Sequence, residues 1–182
     1  MELKRMREWT HPEFEGIWAL YERSFPGFEK RNLADQKRAM EQAADYAVDL
    51  ILEEGAVQGF VMYWQHQDFL YLEHFAVLEQ ARNKGYGSRV LEALKAKGSR
   101  IVLEIDPPED EISLRRKGFY ERCGFVANDY NYIHIPYKKE QTWYPLVLMT
   151  WPQAIDAQQY QSFYDFMKGH VAIYGENPPI IQ

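Results

Sequence analysis

A chain of 182 residues is long enough for one well-buried domain with a short appendage, and its 46% hydrophobic and 26% charged content excludes disorder as the default. A net charge of −6 argues against nucleic acid as a partner, and no run approaches 18 uncharged apolar residues, so no membrane partner is expected. Cys123 is the only cysteine and the histidines lack metal-ligand spacing, which excludes an internal disulfide and a cysteine-based zinc cluster, so no metal is expected. The opening MELKRMREWTHPEF has no apolar leader region, and a cytoplasmic location is the expectation.

In chain order, ELKRMREW alternates Leu3, Met6 and Trp9 with charges and reads as an edge strand. Thr10 and Glu13, with Pro12 between them, form a capping-box pattern. The helix behind it would carry Phe14, Ile17, Trp18, Tyr21 and Phe25 on one apolar face, until Pro26-Gly27 breaks it. A second helix is expected from Leu33 to Glu41, capped by Asn32. YAVDLILEE, GFVMYWQH and FLYLEHFAVLE then read as strands, separated at Glu54-Gly55 and Gln67-Asp68 as in an antiparallel meander. A glycine stretch opens a helix with Tyr86, Val90, Leu91 and Leu94 on one face, and Gly98 closes it.

RIVLEI follows as a short buried strand. A helix linking two apolar strands implies a parallel pair. Pro107-Pro108 forces a loop, a helix runs from about Ser113 to Cys123, and YNYIHIPY and YPLVLMTW read as aromatic strands. The division expected is a domain over residues 1–151 and a helical extension over 152–182. The stripe Tyr160, Phe163, Tyr164 and Met167 of that extension is too large to leave in water. It should pack on the domain or on a second copy of the chain, a homodimer.

The glycine stretch has the form R-x-x-G-x-G, Arg82 to Gly87, between a strand and a helix. A dinucleotide fingerprint would need glycine where Val90 stands, and the Gly-Lys-Ser/Thr of a P-loop is absent. Gly85 and Gly87 let the backbone approach a ligand, the first turn's N–H groups favour an anion, and Arg82 and Lys84 add charge. Taken alone, the pattern also fits an ordinary glycine turn with solvated charges.

Three blocks in order, FAVLEQARNKGYGSRVLEAL, IVLEI and GFYERCGF, resemble the GCN5-related N-acetyltransferases, the GNAT family, over roughly Val48 to Tyr137. The resemblance implies an α/β fold: a mixed, mostly antiparallel sheet with splayed central strands, flanked by helices, plus the C-terminal helical tail particular to this chain. It implies acetyl-CoA or another acyl-CoA as cosubstrate. Backbone groups of Phe75, Ala76 and Val77 would lie along the pantetheine and thioester. N–H groups from Arg82 through Asn83, Lys84, Gly85, Tyr86 and Gly87 to Ser88 would hold the pyrophosphate, and Tyr120 would sit near the sulfur. The chain departs from the family pattern at Glu109, where many members carry asparagine, and in four extra residues before the tyrosine helix.

Acyl transfer to an amine needs a neutral nucleophile. An amine with a pKa of about 10.4 is neutral only about one part in 2,500 at pH 7, so a base is expected. Glu104, a carboxylate inside the apolar RIVLEI strand, is the first candidate and Glu73 in YLEHFAV the second; either could instead be an ion-paired strand residue. His74 reads as a packed histidine and Cys123 as a space-filler at a helix end. The activity expected is N-acetyl transfer to a small-molecule or protein amine; a non-catalytic acyl-CoA binding or sensing module is the alternative.

Overall fold

The structure, a computed structural model, describes residues 1–139 and 143–176. Its contacts divide the chain into two units, Met1–Phe25 with Met40–Leu103, and Pro26–Ala39 with the chain from Glu104 onward. The last six residues of the expected extension, 177–182, lie outside the described residues.

The first unit is a meander with helices. Strand β1 (Glu2–Met6) pairs antiparallel with β2 (Tyr46–Glu53), which pairs with β3 (Ala56–Gln65), which pairs with β4 (Phe69–Val77). Glu54 and Gly55 both have positive φ, 51° and 81°, as the tight turn of a two-residue hairpin requires. Helix α3 (Tyr86–Lys95) then carries the chain to β5 (Arg100–Ile105), which runs parallel to β4. The face expected for α3 is the buried one: Val90, Leu91 and Leu94 are fully enclosed and Tyr86 nearly so. Helix α1 (Phe14–Ser24) buries Phe14, Ile17, Leu20 and Tyr21. The expected Thr10–Glu13 capping box does not form. The Thr10 hydroxyl donates to Glu8, Glu13 is itself the cap residue, and its N–H donates to His11 Nδ1 at 3.2 Å. The residues after β1 make a turn that holds His11, not Thr10, close to the helix start.

The second unit starts at the short 3₁₀ turn Gly27–Glu29 and the first part of α2 (Leu33–Gln42), whose Asp35 N–H donates to Asn32 Oδ1 at 2.8 Å as expected. It continues from the last two residues of β5 through α4 (Glu111–Arg122), β6 (Val126–Ala127), β7 (Ile133–His134), β8 (Tyr144–Pro145), β9 (Val147–Trp151) and α5 (Ala157–Phe166). Seven strands bond in the order β1-β2-β3-β4-β5-β9-β6, a mostly antiparallel mixed sheet. Capping boxes Asp110–Ser113 and Asp156–Gln159 start α4 and α5.

YNYIHIPY is not the strand expected. Among the described residues only Ile133 and His134 of it pair, with Pro145 and Tyr144 of β8, and Pro145 has no N–H to offer the ladder. Tyr132 and Tyr137 are nonetheless buried.

The α5 stripe packs within this unit. Phe163 and Met167 are enclosed, and Tyr160 stacks on Tyr130 with ring centres 4.1 Å apart. Buried Asn128 fixes the approach to α5. Its Nδ2 donates to Leu148 O and Thr150 Oγ1 at 3.1 and 2.9 Å, and its Oδ1 accepts the Ile155 N–H at 2.9 Å. Among the described residues no helix is long and apolar enough to cross a membrane.

Candidate active site

The first unit carries the expected coenzyme-binding segments. The parallel β4–β5 ladder runs from Phe69↔Arg100 to Leu72↔Leu103, while β4 continues five residues further, Glu73 to Val77. On its other side β4 pairs Met62↔His74 and then Tyr63↔Leu72, so Glu73 is the extra residue of a β-bulge. Its side chain is buried, with Oε2 3.6 Å from His74 Nδ1. His74 fits the packed role: its ring lies edge-on between Tyr21 at 4.9 Å and Phe25 at 4.6 Å.

Phe75, Ala76 and Val77 face Val61, Phe60 and Gly59 of β3. The strands approach so closely at Gly59 that a Cβ there would stand 2.2 Å from Ala76 O and 2.8 Å from Val77 Cα. Only glycine fits.

After β4, a 3₁₀ turn (Glu79–Ala81) leads into the glycine stretch. Asn83 and Gly85 have left-handed backbone, φ 61° and 76°, and no atom lies within 4 Å of a Cβ built at Gly85, so glycine is needed there for its φ rather than for space. Gly85 caps α3 without a side-chain hydrogen bond, and the Arg89 N–H makes the first bond back, to Gly85 O at 3.2 Å. The N–H groups of Tyr86, Gly87 and Ser88 therefore precede that first bond, at the positive end of the helix. Ser88 Oγ donates to Gly85 O at 3.1 Å and steadies the turn. Arg82, Asn83, Lys84, Gly85 and Ser88 are exposed, while Tyr86 is buried and anchors the loop. Arg89 is engaged elsewhere: it pairs with Glu53 at 2.9 Å and holds that carboxyl below its usual range. Arg82 and Lys84 supply the loop's own charge. This backbone cradle fits a pyrophosphate.

The second unit carries Glu104 and Tyr120. Glu104 Oε1 accepts a short hydrogen bond from the Tyr132 hydroxyl and lies 3.2 Å from His134 Nδ1. An ionised carboxylate only accepts, so with Glu104 ionised His134 presents N–H at Nδ1. Burial, and then the adjacent Glu104, push the Tyr132 phenol well above its ordinary value, which keeps it a donor. Tyr120 lies on α4 between the rings of Phe119 and Phe125, at 5.2 and 5.7 Å. Burial pushes its phenol up to about 12, against the pull of Arg116, which is itself paired with Asp106 at 2.5 Å. Cys123 ends α4 as its cap residue. Among the described residues, no three His, Cys, Asp or Glu side chains are grouped to hold a metal ion.

Gly59, Tyr132 and His134 were not singled out by the sequence. A glycine inside an otherwise β-branched and aromatic strand was a usable signal for close backbone approach. Nothing in YNYIHIPY marks which ring meets a carboxylate some thirty residues earlier.

The family model described as the acetyltransferase (GNAT) family matches residues 3–125. The chain belongs to the GNAT family of acetyltransferases. A solved structure from Bacteroides thetaiotaomicron, named as an acetyltransferase of this family, is 29% identical, with a TM-score of 0.86 over 97% of this chain and 100% of that one. The Bacillus subtilis protein YjbC, also named as an acetyltransferase, is 26% identical over 91 residues, and the match spans about half of each chain, 49% and 47%. A B. subtilis acetyltransferase solved in complex with CoA shares the fold at 13% identity, with a TM-score of 0.53 over 82% of this chain and 97% of that one.

Proposed function

We propose that this chain is an acyl-CoA-dependent N-acyltransferase that moves an acetyl group from acetyl-CoA to a primary amine, on a small molecule or a protein, by direct attack. The observation that supports this most is the cradle at the start of α3, with left-handed Gly85, an uncapped first turn and exposed Arg82 and Lys84. The cosubstrate, when bound, supplies the acetyl group as an activated thioester. The residues from Arg82 to Ser88 hold its pyrophosphate, and the backbone of Phe75, Ala76 and Val77 aligns its arm.

Glu104 is the base. Deprotonating an ammonium at pH 7 costs roughly 4.6 kcal/mol, and a carboxylate in a buried strand collects that proton. Glu73 is the less favoured candidate, since its side chain is enclosed beside His74. Tyr120 donates a hydrogen bond towards the departing sulfur without surrendering its proton. A phenol at about 12 is a much weaker acid than a thiol near 8.5, so full transfer would be uphill by roughly 3.5 units.

The test is thiol release from acetyl-CoA across a panel of amines. Turnover with one amine should fall about 10²–10⁴-fold in Glu104→Gln at pH 7, and the loss should shrink as pH rises and neutral amine becomes common. Acetyl-CoA binding without thiol release for any amine would instead support the non-catalytic acyl-CoA module.

A further inference from the structure

We infer that Tyr132 and His134 are positioning residues for Glu104, and that the C-terminal helix α5 takes part in catalysis by holding Tyr132 in place. The inference rests on the reading of Glu104 as the base.

Two donors converge on one carboxylate oxygen: the Tyr132 hydroxyl and His134 Nδ1 both reach Glu104 Oε1. The Glu104 side chain is only 9% exposed, an environment that by itself favours the neutral acid. Hydrogen bonds to the ionised form oppose that tendency. They also fix the plane of the carboxylate, which otherwise turns about its last torsion. A base that must be ionised before the amine arrives needs both effects.

Tyr132 cannot drift from this role. Its ring is enclosed by Phe163 at 5.9 Å and Tyr164 at 6.2 Å, both on α5. Tyr160, also on α5, faces it electrostatically, as does Tyr137. On the other donor, His134 meets the Tyr137 ring edge-on at 5.5 Å, and the Arg31 guanidinium lies over the Tyr137 ring at 4.2 Å. Tyr137, Tyr160, Tyr164 and Arg31 are the titratable and charged groups that pack on these two donors or on Tyr137, while Tyr132 and His134 reach the carboxylate itself. Helix α5, which lies beyond the family match, is thus linked to Glu104 through Tyr132.

The experiment is a pH profile of kcat/KM for the amine, with acetyl-CoA affinity measured alongside. Tyr132→Phe keeps the ring and removes the donor. Its acid limb should move up by about one pH unit, because a carboxylate that loses a charge-assisted hydrogen bond protonates more readily, and acetyl-CoA affinity should stay unchanged. His134→Leu should move the limb the same way, and His134→Asn, whose amide can donate from near the Nδ1 position, should restore it. Tyr164→Ala, on the half-exposed side of α5, should move it in the same direction by a smaller step. Parental profiles in Tyr132→Phe and His134→Leu, with Glu104→Gln slow, overturn this inference alone. A Glu104→Gln enzyme with the parental rate and profile overturns the base assignment and this inference together.

Discussion

Replacing Gly59 by alanine tests how tightly the β3–β4 approach sets the acetyl-CoA arm. The new methyl would stand 2.2 Å from Ala76 O and 2.8 Å from Val77 Cα, both backbone atoms that no side-chain rotation can relieve. A carbon–oxygen contact needs roughly 3.2 Å, so the strands must separate by about 1 Å at this rung. Overpacking of this kind costs about 1–3 kcal/mol, which for a chain of this length lowers Tm by roughly 2–12 °C. The displaced groups are the ones proposed to align the pantetheine, and a 1 Å misplacement can cost about 10²-fold in rate. Thermal unfolding, acetyl-CoA titration calorimetry and turnover should therefore all change in Gly59→Ala, with affinity falling at least tenfold. A variant as stable as the parent would refute the steric argument. A destabilised variant with parental affinity and rate would show that Ala76 and Val77 do not line the arm.

Gly87→Asp should reduce acetyl-CoA affinity at least tenfold by placing a carboxylate in the cradle. It should leave stability equal or slightly raised, since a negative charge in the first turn of α3 suits the helix dipole, so unchanged affinity in calorimetry would remove the cradle assignment. Tyr120→Phe should cost about ten- to a hundredfold in kcat, and more with poorer leaving thiols. Because the Tyr120 phenol lies at about 12, parent and variant should share the shape of the rate profile up to about pH 10; an alkaline limb near pH 9 lost in the variant would identify Tyr120 as a true acid.

Local pattern made most of the first unit legible. The β2–β3–β4 meander, its two-residue hairpin, the buried face of α3 and the parallel β4–β5 pair all follow from periodicity and turn chemistry within short windows. The cap of α1 departs from the Thr10–Glu13 pattern because the Glu13 N–H that Thr10 would accept goes to His11 Nδ1, a competition set only once the chain turns after β1. In the second unit aromatic content suggested strands, but most of those rings lie in loops, buried by tertiary contact. The candidate site divided the same way. The glycine cradle is a contiguous motif, readable as letters. The donors on Glu104 come from 28 and 30 positions away, and only folding identifies them.

The second unit is discontinuous in the chain, and this has a consequence for its synthesis on the ribosome. Arg31 Nε donates to Tyr174 O at 3.1 Å across 143 positions, and Asn32 Nδ2 to Glu176 Oε1 at 2.9 Å across 144. At about 5–20 residues per second, the segment from Pro26 to Ala39 waits roughly 7–29 s for these partners to be made. Closing so long a loop costs about 4 kcal/mol in chain entropy, met only when the last contacts form together. The first unit, nearly continuous in sequence, has its meander complete long before. A nascent chain halted short of Tyr174 would thus carry a complete meander while the Arg31 and Asn32 bonds to Tyr174 and Glu176 are still unmade, a partly folded species open to chaperones and proteases.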